Sequence, residues 1–154
     1  GLPVFEMIGY LSSEVKEAKD RVRTALKNQG YLLPPKRITV NLAPANLRKS
    51  GTLYDLAIGI SILIASRFIS PLEEPMLFLG EVGLDGSIKG VQGVLPVVLK
   101  ACEEKIPVCF VPKVNIKEAR IAKTMSFKKD EGCILVITAG DVKIDNSKYK
   151  KYAR

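Results

Sequence analysis

The sequence predicts a single α/β domain in which helices pack against a mixed sheet. Stretches with an apolar period of two alternate with stretches of helical periodicity, in the order β-α-β-α-β-β-α-β-α-β. Hairpins and crossovers are both needed to connect these elements, so the class lies between α/β and α+β. The 154 residues suffice for one hydrophobic core, because chains of roughly 100–200 residues usually form a single domain.

The first half of the chain starts with a short strand and a clearly marked helix. Residues 4–10 form the predicted strand, and Ser12 or Ser13 offers a hydroxyl N-cap for the helix that follows. Gly30 ends this helix, since glycine readily adopts the left-handed conformation after a last turn. The other predicted elements of this half are an alternating strand at 38–42 and an apolar helix from about 54 to 68.

The second half contains a hairpin and then alternating helices and strands. Asp85-Gly86 is a typical tight-turn pair, and it follows a predicted strand at 76–82. The later predicted elements are helix 93–105, strand 108–111, helix 116–123 and strand 134–137. From Gly140 onward the apolar periodicity is lost and the sequence turns basic, which predicts a weakly ordered tail.

The composition excludes several classes of chemistry. The chain has no His, so it contains no Ser-His-Asp triad, no Cys-His pair and no His-based metal site. Its cysteines, at 102, 109 and 133, lack the close spacing of a thiolate metal site, and unpaired thiols suit a reducing cytoplasm. No apolar run reaches the roughly 18–20 residues of a membrane span, so we expect no membrane partner.

Four cations around the second predicted strand are candidates for nucleic-acid binding. Lys36 and Arg37 precede the strand, Arg48 and Lys49 follow it, and no acidic residue is close to them in sequence. The net charge of +8 permits a polyanionic partner, and phosphate contacts need only cations at a surface. An ordinary solvated surface is the alternative. No aromatic residue is interleaved with these cations, so no stacking platform for single strands is predicted.

Hydrolytic chemistry has little support in the sequence. The glycines of residues 83–90 do not have phosphate-loop spacing and lie in a predicted hairpin, so nucleotide hydrolysis by this chain is not expected. Without His, a Ser/Lys pair is the remaining nucleophilic option, and it needs a desolvated lysine. Lys49 and Ser50 are neighbours in a polar loop, where we expect both to be solvated. Asp55 is at the start of the apolar helix, and it has two possible roles there: a helix cap or a functional-site residue.

A long, unusual segment, PPKRITVNLAPA at 34–45, points to one family when it is read with several shorter segments. These are GLP at 1–3, IG at 8–9, VKE at 15–17, RVR at 21–23, LRKSG at 47–51, YDL at 54–56, LGE at 79–81, DG at 85–86 and GVLP at 93–96. Together they resemble the N-terminal domain of the Mg-chelatase-like AAA+ ATPases, the ComM/YifB family of bacterial competence proteins. The resemblance covers about residues 1–120 and implies a fold like the Lon protease proteolytic domain, of the ribosomal S5 domain 2-like type.

The implied kinship with Lon-type proteases allows a comparison of catalytic positions. In that family the nucleophilic Ser begins a helix, and the corresponding stretch here, residues 51–59, has Asp55 at the best-matching position. The family's catalytic Lys corresponds to Leu95 or an adjacent residue in the segment at 93–96. The resemblance therefore implies a domain that has lost its protease dyad. Residues after about 125 no longer resemble the family, which predicts a Lon-like domain over 1–125 and a divergent last strand and basic tail over 126–154.

The resemblance also implies a role and partners. It predicts a non-catalytic accessory domain of an ATPase that processes DNA, with helicase and branch-migration activity in natural transformation. ATP and Mg²⁺ would then bind in the AAA+ module, with no cofactor in this chain. Expected partners are that module in cis or in trans, further copies of the protein in its full-length context, and DNA. The alternatives are a Lon-type serine/lysine peptidase, with Ser50, Thr52 or Ser61 as hydroxyl candidates, and a purely structural protein-interaction module.

Overall fold

The computed structural model describes residues 4–126 and 134–138, and these fold into four α-helices and seven short strands. The strands are β1 (Phe5–Ile8), β2 (Ile38–Asn41), β3 (Met76–Phe78), β4 (Glu81–Val82), β5 (Ile88–Lys89), β6 (Val108–Pro112) and β7 (Ile134–Thr138). The helices are α1 (Ser13–Asn28), α2 (Asp55–Ala65), α3 (Val94–Glu103) and α4 (Ile116–Ser126), with a 3₁₀ turn at Lys113–Asn115 before α4. This order confirms the predicted mixed α/β class. The predicted tail from Gly140 lies outside the described residues.

Helix α1 forms because its apolar residues recur on one face. That face is buried and comprises Val15, Ala18, Val22, Ala25 and Leu26. Ser12 occupies the N-cap position with an extended backbone, although its side chain makes no capping hydrogen bond. At the other end Gly30 adopts a φ of +83°, and the Tyr31 N–H donates to the Leu26 carbonyl. The predicted glycine stop of this helix is confirmed.

The strands pair in both directions and lie in three small sheets. β1 and β2 are parallel, with Phe5 opposite Ile38, and an isolated bridge between Leu11 and Lys49 continues their pairing. β3, β6 and β7 form a second parallel sheet with β6 in the middle. β4 and β5 form the antiparallel hairpin that the Asp85-Gly86 turn predicts.

The predicted strand at 76–82 is interrupted at Gly80, so the prediction of one continuous strand was wrong. The Leu79 N–H still donates to the Phe110 carbonyl of β6. Gly80 then turns its backbone toward the start of α2, where its N–H donates to Leu53 and its carbonyl accepts from Leu56. A Cβ at Gly80 would lie 2.8 Å from Cγ2 of Ile88, so this close approach requires glycine.

Two buried clusters form the core. The larger one joins α1, α2 and the inner faces of the strands, and it includes the stacked rings of Phe78 and Phe110, with centroids 4.8 Å apart. The smaller one lies around α3 and α4 and comprises Leu79, Val91, Val94, Val98, Val111, Ala119 and Ala122. Small alanines at the contact allow α3 and α4 to pack closely.

The boundaries of the other helices follow local chemistry. α2 ends at Ala65, three residues before the predicted end at 68. Arg67 follows with a positive φ of 62°, which a helix cannot contain. Pro96 is the third residue of α3, a position where its missing N–H costs no helical hydrogen bond. Asn115 is buried just before α4, and its side-chain amide donates to the Val91 carbonyl and accepts from the Val91 N–H. This amide fixes the start of α4 against the chain that enters α3.

Candidate functional site

The start of α2 holds a buried ion pair. Asp55 is only 1% exposed, and its two carboxylate oxygens accept hydrogen bonds from Arg21 on α1, at 2.7 Å from Nε and 3.0 Å from Nη2. The Val82 N–H of β4 donates to the same carboxylate at 3.2 Å. A third Arg21 hydrogen bond, from Nη2, goes to the Glu14 carbonyl at 2.7 Å. The pair therefore connects α1, α2 and the β4 strand.

The surrounding backbone explains why Asp55 points inward. Because the strand is interrupted at Gly80, the Gly80 carbonyl accepts a hydrogen bond from the Leu56 N–H at 3.1 Å. This satisfies one of the amides that lack a helical partner at the start of α2. The carboxylate hydrogen bonds of Asp55 go to Arg21 and Val82 instead of the first amides of the helix. Of the two open readings of this residue, simple helix capping is therefore wrong.

The electrostatics of the site favour a charged Arg21 guanidinium. The hydrogen bond to Asp55 raises the pKa of Arg21 above its ordinary value, and the nearby carboxylates of Glu81 and Glu17 act in the same direction against the effect of burial. A bidentate guanidinium–carboxylate pair neutralises the carboxylate and satisfies both of its oxygens. The arrangement is that of a structural connector, since the hydrogen bonds of Asp55 are made within the fold.

Leu95, at the position that corresponds to the protease lysine, lies in the first turn of α3. Its side chain is half-buried and packs against the smaller core cluster, as does Leu53 ahead of α2. The structure thus places a carboxylate and an aliphatic side chain at the two positions that the family comparison singled out. An aliphatic group cannot accept or donate a proton.

The four predicted nucleic-acid cations have different environments. Lys36 and Arg48 are exposed, as predicted. Arg37 is exposed too, but its guanidinium pairs with the Glu6 carboxylate at 2.7 Å, which raises the pKa of Arg37. Arg37 therefore has an acidic partner in the fold, although none is close to it in the sequence. The parallel pairing of β1 and β2 brings together two residues that are 31 positions apart in the chain.

Lys49 is buried, so the expectation of a solvated loop residue was wrong for it. Its backbone runs beside the end of β1, with its N–H on the Tyr10 carbonyl at 2.8 Å and its carbonyl on the Ser12 N–H at 2.9 Å. This extended pairing leaves the side chain 6% exposed, and its ammonium donates to the Pro44 carbonyl. Lys49 thus stabilises a loop and is not part of the exposed cationic surface.

The remaining candidate groups do not form a reactive cluster in the part of the chain that the structure describes. Ser50 is exposed, and the Ser61 hydroxyl donates to the Ala57 carbonyl at 2.8 Å within α2. No set of three His, Cys, Asp or Glu side chains that could hold a metal ion occurs among residues 4–126 and 134–138. In the same ranges no helix combines the length and apolarity needed to cross a membrane.

The glycine-rich hairpin does not fit ATP and Mg²⁺. The Gly86 N–H donates to the Gly83 carbonyl at 2.8 Å, and the Ser87 N–H donates to the Asp85 carboxylate at 3.0 Å, so these amides do not converge on a vacant anion site. The space that a Cβ of Gly86 would occupy is filled by the Gln29 side chain, 2.6 Å away at the end of α1. The hairpin is thus an internal contact with α1.

The chain is thus a mixed α/β domain with a structural ion pair at the start of its central apolar helix. The sequence model of the family described as subunit ChlI of Mg-chelatase matches residues 1–115. This match covers well over half of the chain, and the chain belongs to that family. The predicted membership in the Mg-chelatase-like family is confirmed.

Curated relatives extend the comparison to named bacterial proteins. The competence protein ComM of Haemophilus influenzae is 43% identical over 122 residues, which cover 79% of this chain and 24% of that protein. YifB of Escherichia coli is 40% identical over 137 residues, covering 88% of this chain and 26% of that protein. The chain therefore spans about a quarter of the length of these relatives.

Sequence reasoning missed Arg21 as the partner of Asp55. The two residues are 34 positions apart, and Arg21 alone resembles any other cation on the polar side of α1. One signal was available in the sequence: Asp55 stands directly before a run of apolar residues, and a carboxylate buried in such a helix needs a cation. The choice among the many cations of the chain depends on how α1 packs against α2.

Proposed function

We propose that this chain is a non-catalytic accessory domain of a Mg-chelatase-like AAA+ ATPase, with a fold like the Lon protease proteolytic domain. The observation that carries the proposal is the buried Arg21–Asp55 pair. It lies where the resemblance to Lon-type proteases would require a nucleophile, and a charge-paired carboxylate does not attack a peptide bond. Leu95 supports the same conclusion, because it offers no basic group.

Family membership supports a role as one domain of a larger cytoplasmic ATPase. The chain corresponds to about a quarter of ComM and YifB, which leaves ample length in such proteins for a separate ATPase module. In this proposal ATP and Mg²⁺ are bound by that module, and this domain serves its assembly in cis or in trans, within a homo-oligomer. The Gln29 side chain occupies the space beside Gly86 in the glycine-rich hairpin of this chain. This supports the assignment of nucleotide binding to the separate ATPase module.

The same proposal includes contact with DNA during branch migration. Support comes from Lys36, Arg37 and Arg48, which are exposed near the two ends of β2. Arg37 is already paired with Glu6, so Lys36 and Arg48 are the two of this set whose charge is available to phosphates. Contacts of this kind neutralise phosphates without reading bases, so the binding should be strongly salt-dependent and weakly sequence-dependent.

The DNA contact is tested by fluorescence anisotropy with labelled single- and double-stranded DNA over a series of salt concentrations. Lys36→Ala/Arg48→Ala should weaken binding at low salt and reduce the slope of log affinity against log salt by about two units. Lys49→Met is the matched control, since it removes a buried ammonium that donates to the Pro44 carbonyl. This variant should leave the slope unchanged. Binding that is absent at low salt, or equal in both variants, would leave a purely structural protein-interaction module.

A serine/lysine peptidase is a second candidate, because the burial of Lys49 next to Ser50 is one feature that such a dyad requires. Against it, the Lys49 ammonium is engaged by the Pro44 carbonyl, and Ser50 is exposed. This candidate predicts peptide turnover that disappears in Ser50→Ala, whereas the accessory-domain proposal predicts no turnover to lose.

A further inference from the structure

A cavity of about 310 Å³ lies between the start of β1, the second half of α1 and the loop that leads into β2. It is separate from the Arg21–Asp55 pair, and no residue of that pair lines it. Its size is at the lower end of the range for small-molecule sites. The lining residues are Val4, Phe5, Arg23, Lys27, Tyr31, Leu32, Leu33, Pro34, Pro35, Lys36 and Ile38.

The charged groups of this cavity are all positive among the described residues. Arg23 and Lys27 come from successive turns of α1, and Lys36 comes from the loop before β2. None of the three forms an ion pair within residues 4–126 and 134–138. Like charges four apart on a helix repel each other, so the fold keeps an unfavourable arrangement that an anion would relieve. A concave surface of one sign also concentrates its field on such a ligand.

The nearest carboxylate on β1 does not neutralise the cavity. Glu6 follows Phe5 in β1, and neighbouring side chains of a strand point to opposite faces. Phe5 lines the cavity together with its pairing partner Ile38, while Glu6 is engaged by Arg37. The two faces of this strand pair thus separate an ion pair from a cationic cavity.

The rest of the cavity wall is apolar and includes two aromatic rings. Phe5 and Tyr31 lie in the lining with Ile38 and Pro34, and Tyr31 is held edge-on against Phe68, with ring centroids 5.4 Å apart. These rings are not interleaved with the cations in the sequence, and the fold brings them to one cavity with Arg23, Lys27 and Lys36. Aromatic and prolyl surfaces beside cations suit a flat ring that carries a phosphate.

We propose that this cavity binds a nucleotide unit, with its phosphate on Arg23, Lys27 and Lys36 and its base against Tyr31 and Phe5. The chemistry is shared by a free mononucleotide and by the unpaired end of a nucleic-acid strand. This site is independent of the accessory role, and it requires neither catalysis nor the ATPase module. Arg23 and Lys27 distinguish it from the Lys36 and Arg48 surface proposed for DNA.

The test uses isothermal titration calorimetry and amide NMR on the intact chain with four probes: deoxyadenosine monophosphate, deoxyadenosine, inorganic phosphate, and a short single-stranded oligonucleotide with a terminal phosphate. Arg23→Ala/Lys27→Ala removes two cavity cations. Lys16→Ala/Lys117→Ala is the matched control, because it removes two exposed cations that do not line the cavity. Both variants change exposed residues, and circular dichroism checks that each is folded.

Saturable binding of the mononucleotide, with shifts of the Tyr31 and Phe5 amides, supports the free-nucleotide source. Binding of the oligonucleotide alone, at the same amides, supports the strand end. In either case the cavity variant should lose about tenfold or more in affinity and the control less than about twofold. Deoxyadenosine and phosphate should each bind more weakly than the mononucleotide. The proposal is overturned if no probe shifts these amides, or if the two variants lose affinity equally.

Discussion

At the scale of single residues, Arg21 and Asp55 differ by their burial from the ion pairs that other described residues form. The Arg21 side chain is 18% exposed and that of Asp55 is 1% exposed, whereas Arg37 and Glu6 are 67% and 39% exposed. Removing one partner of a buried pair leaves an uncompensated charge in the core, which costs far more than the loss of a solvated contact.

We therefore expect Arg21→Met to lower the free energy of unfolding by about 3–5 kcal/mol, because Asp55 would remain buried without its cation. Arg37→Met is the matched control and should cost no more than about 1 kcal/mol, since water replaces the lost contact with Glu6. Urea denaturation followed by circular dichroism measures both. Equal losses in the two variants would show that burial does not distinguish the pairs.

A second residue-scale prediction concerns Asp85 in the hairpin turn. Hydrogen bonds from the Ser87 hydroxyl, at 2.6 Å, and from the Ser87 N–H lower the pKa of Asp85 below its ordinary value of 3.8. Ser87→Ala removes the hydroxyl, so the pKa of Asp85 should rise toward 3.8. Carboxyl-carbon NMR titration measures the change. The pKa of Glu104, which is lowered by Lys100, serves as the control and should not move.

The pH dependence of stability follows from the sign of this shift. A carboxyl whose pKa is lowered on folding stabilises the protein above its ordinary pKa and loses that contribution as the pH falls through the lowered value. The stability advantage of the native chain over Ser87→Ala should therefore be present at neutral pH and shrink below about pH 3.8. An advantage that grows on acidification would contradict the assignment of the hydrogen bond.

At the scale of elements, the β4–β5 hairpin is fastened to the end of α1. The side-chain amides of Asn28 and Gln29 donate to the carbonyls of Leu84 and Asp85, at 2.8 Å and 2.6 Å. Gly86, at the tip of the turn, has a φ of +82°. Two constraints therefore act on this glycine: its backbone conformation and the side chain beside it.

Gly86→Ala should destabilise the protein by about 2–4 kcal/mol, because alanine is strained at positive φ and its Cβ would displace Gln29 and break the contact with Asp85. Gly51→Ala is the matched control, with a φ of +78° and open space around the new Cβ, and it should show only the conformational cost of about 1–2 kcal/mol. Thermal unfolding separates the two. A loss in Gly86→Ala no greater than in Gly51→Ala would show that the Gln29 contact carries no stability.

The elements themselves could largely be predicted from the sequence, because their signals are local. The face of α1, its stop at Gly30 and the Asp85-Gly86 hairpin depend on residues within a few positions of one another. The break at Gly80 could not be predicted, since it depends on Leu53, Leu56 and Ile88. A local apolar pattern does not reveal which distant backbone a strand will meet.

Candidate sites were harder to predict for the same reason. The exposure of Lys36 and Arg48 follows from their place in a polar segment. The burial of Lys49, by contrast, depends on pairing with Tyr10, and the cationic cavity depends on β1 and α1 meeting around the loop that leads into β2. Charge and residue type identify candidates, whereas the packing of distant elements decides which of them share a surface.

At the scale of the whole molecule, the chain belongs to the family described as subunit ChlI of Mg-chelatase, and it spans about a quarter of the length of its named relatives. Two hydrophobic clusters and the Arg21–Asp55 connector hold the domain together. In the proposed function, Asp55 stands at the position that corresponds to a protease nucleophile and is part of that framework. In the proposed function, the exposed cations and the cavity contact nucleic acid or nucleotides, and the domain supports an ATPase and does not cut peptides.

The measurement that tests this claim most directly is peptide hydrolysis by the intact chain, with casein and a mixture of fluorogenic peptides as substrates. The proposed function predicts a rate equal to that of a heat-denatured sample, and no difference between the native chain, Ser50→Ala and Ser61→Ala. Turnover by the native chain that either substitution abolishes would contradict it, because a serine nucleophile would then operate in a domain whose nucleophile position we assign to the Arg21–Asp55 pair.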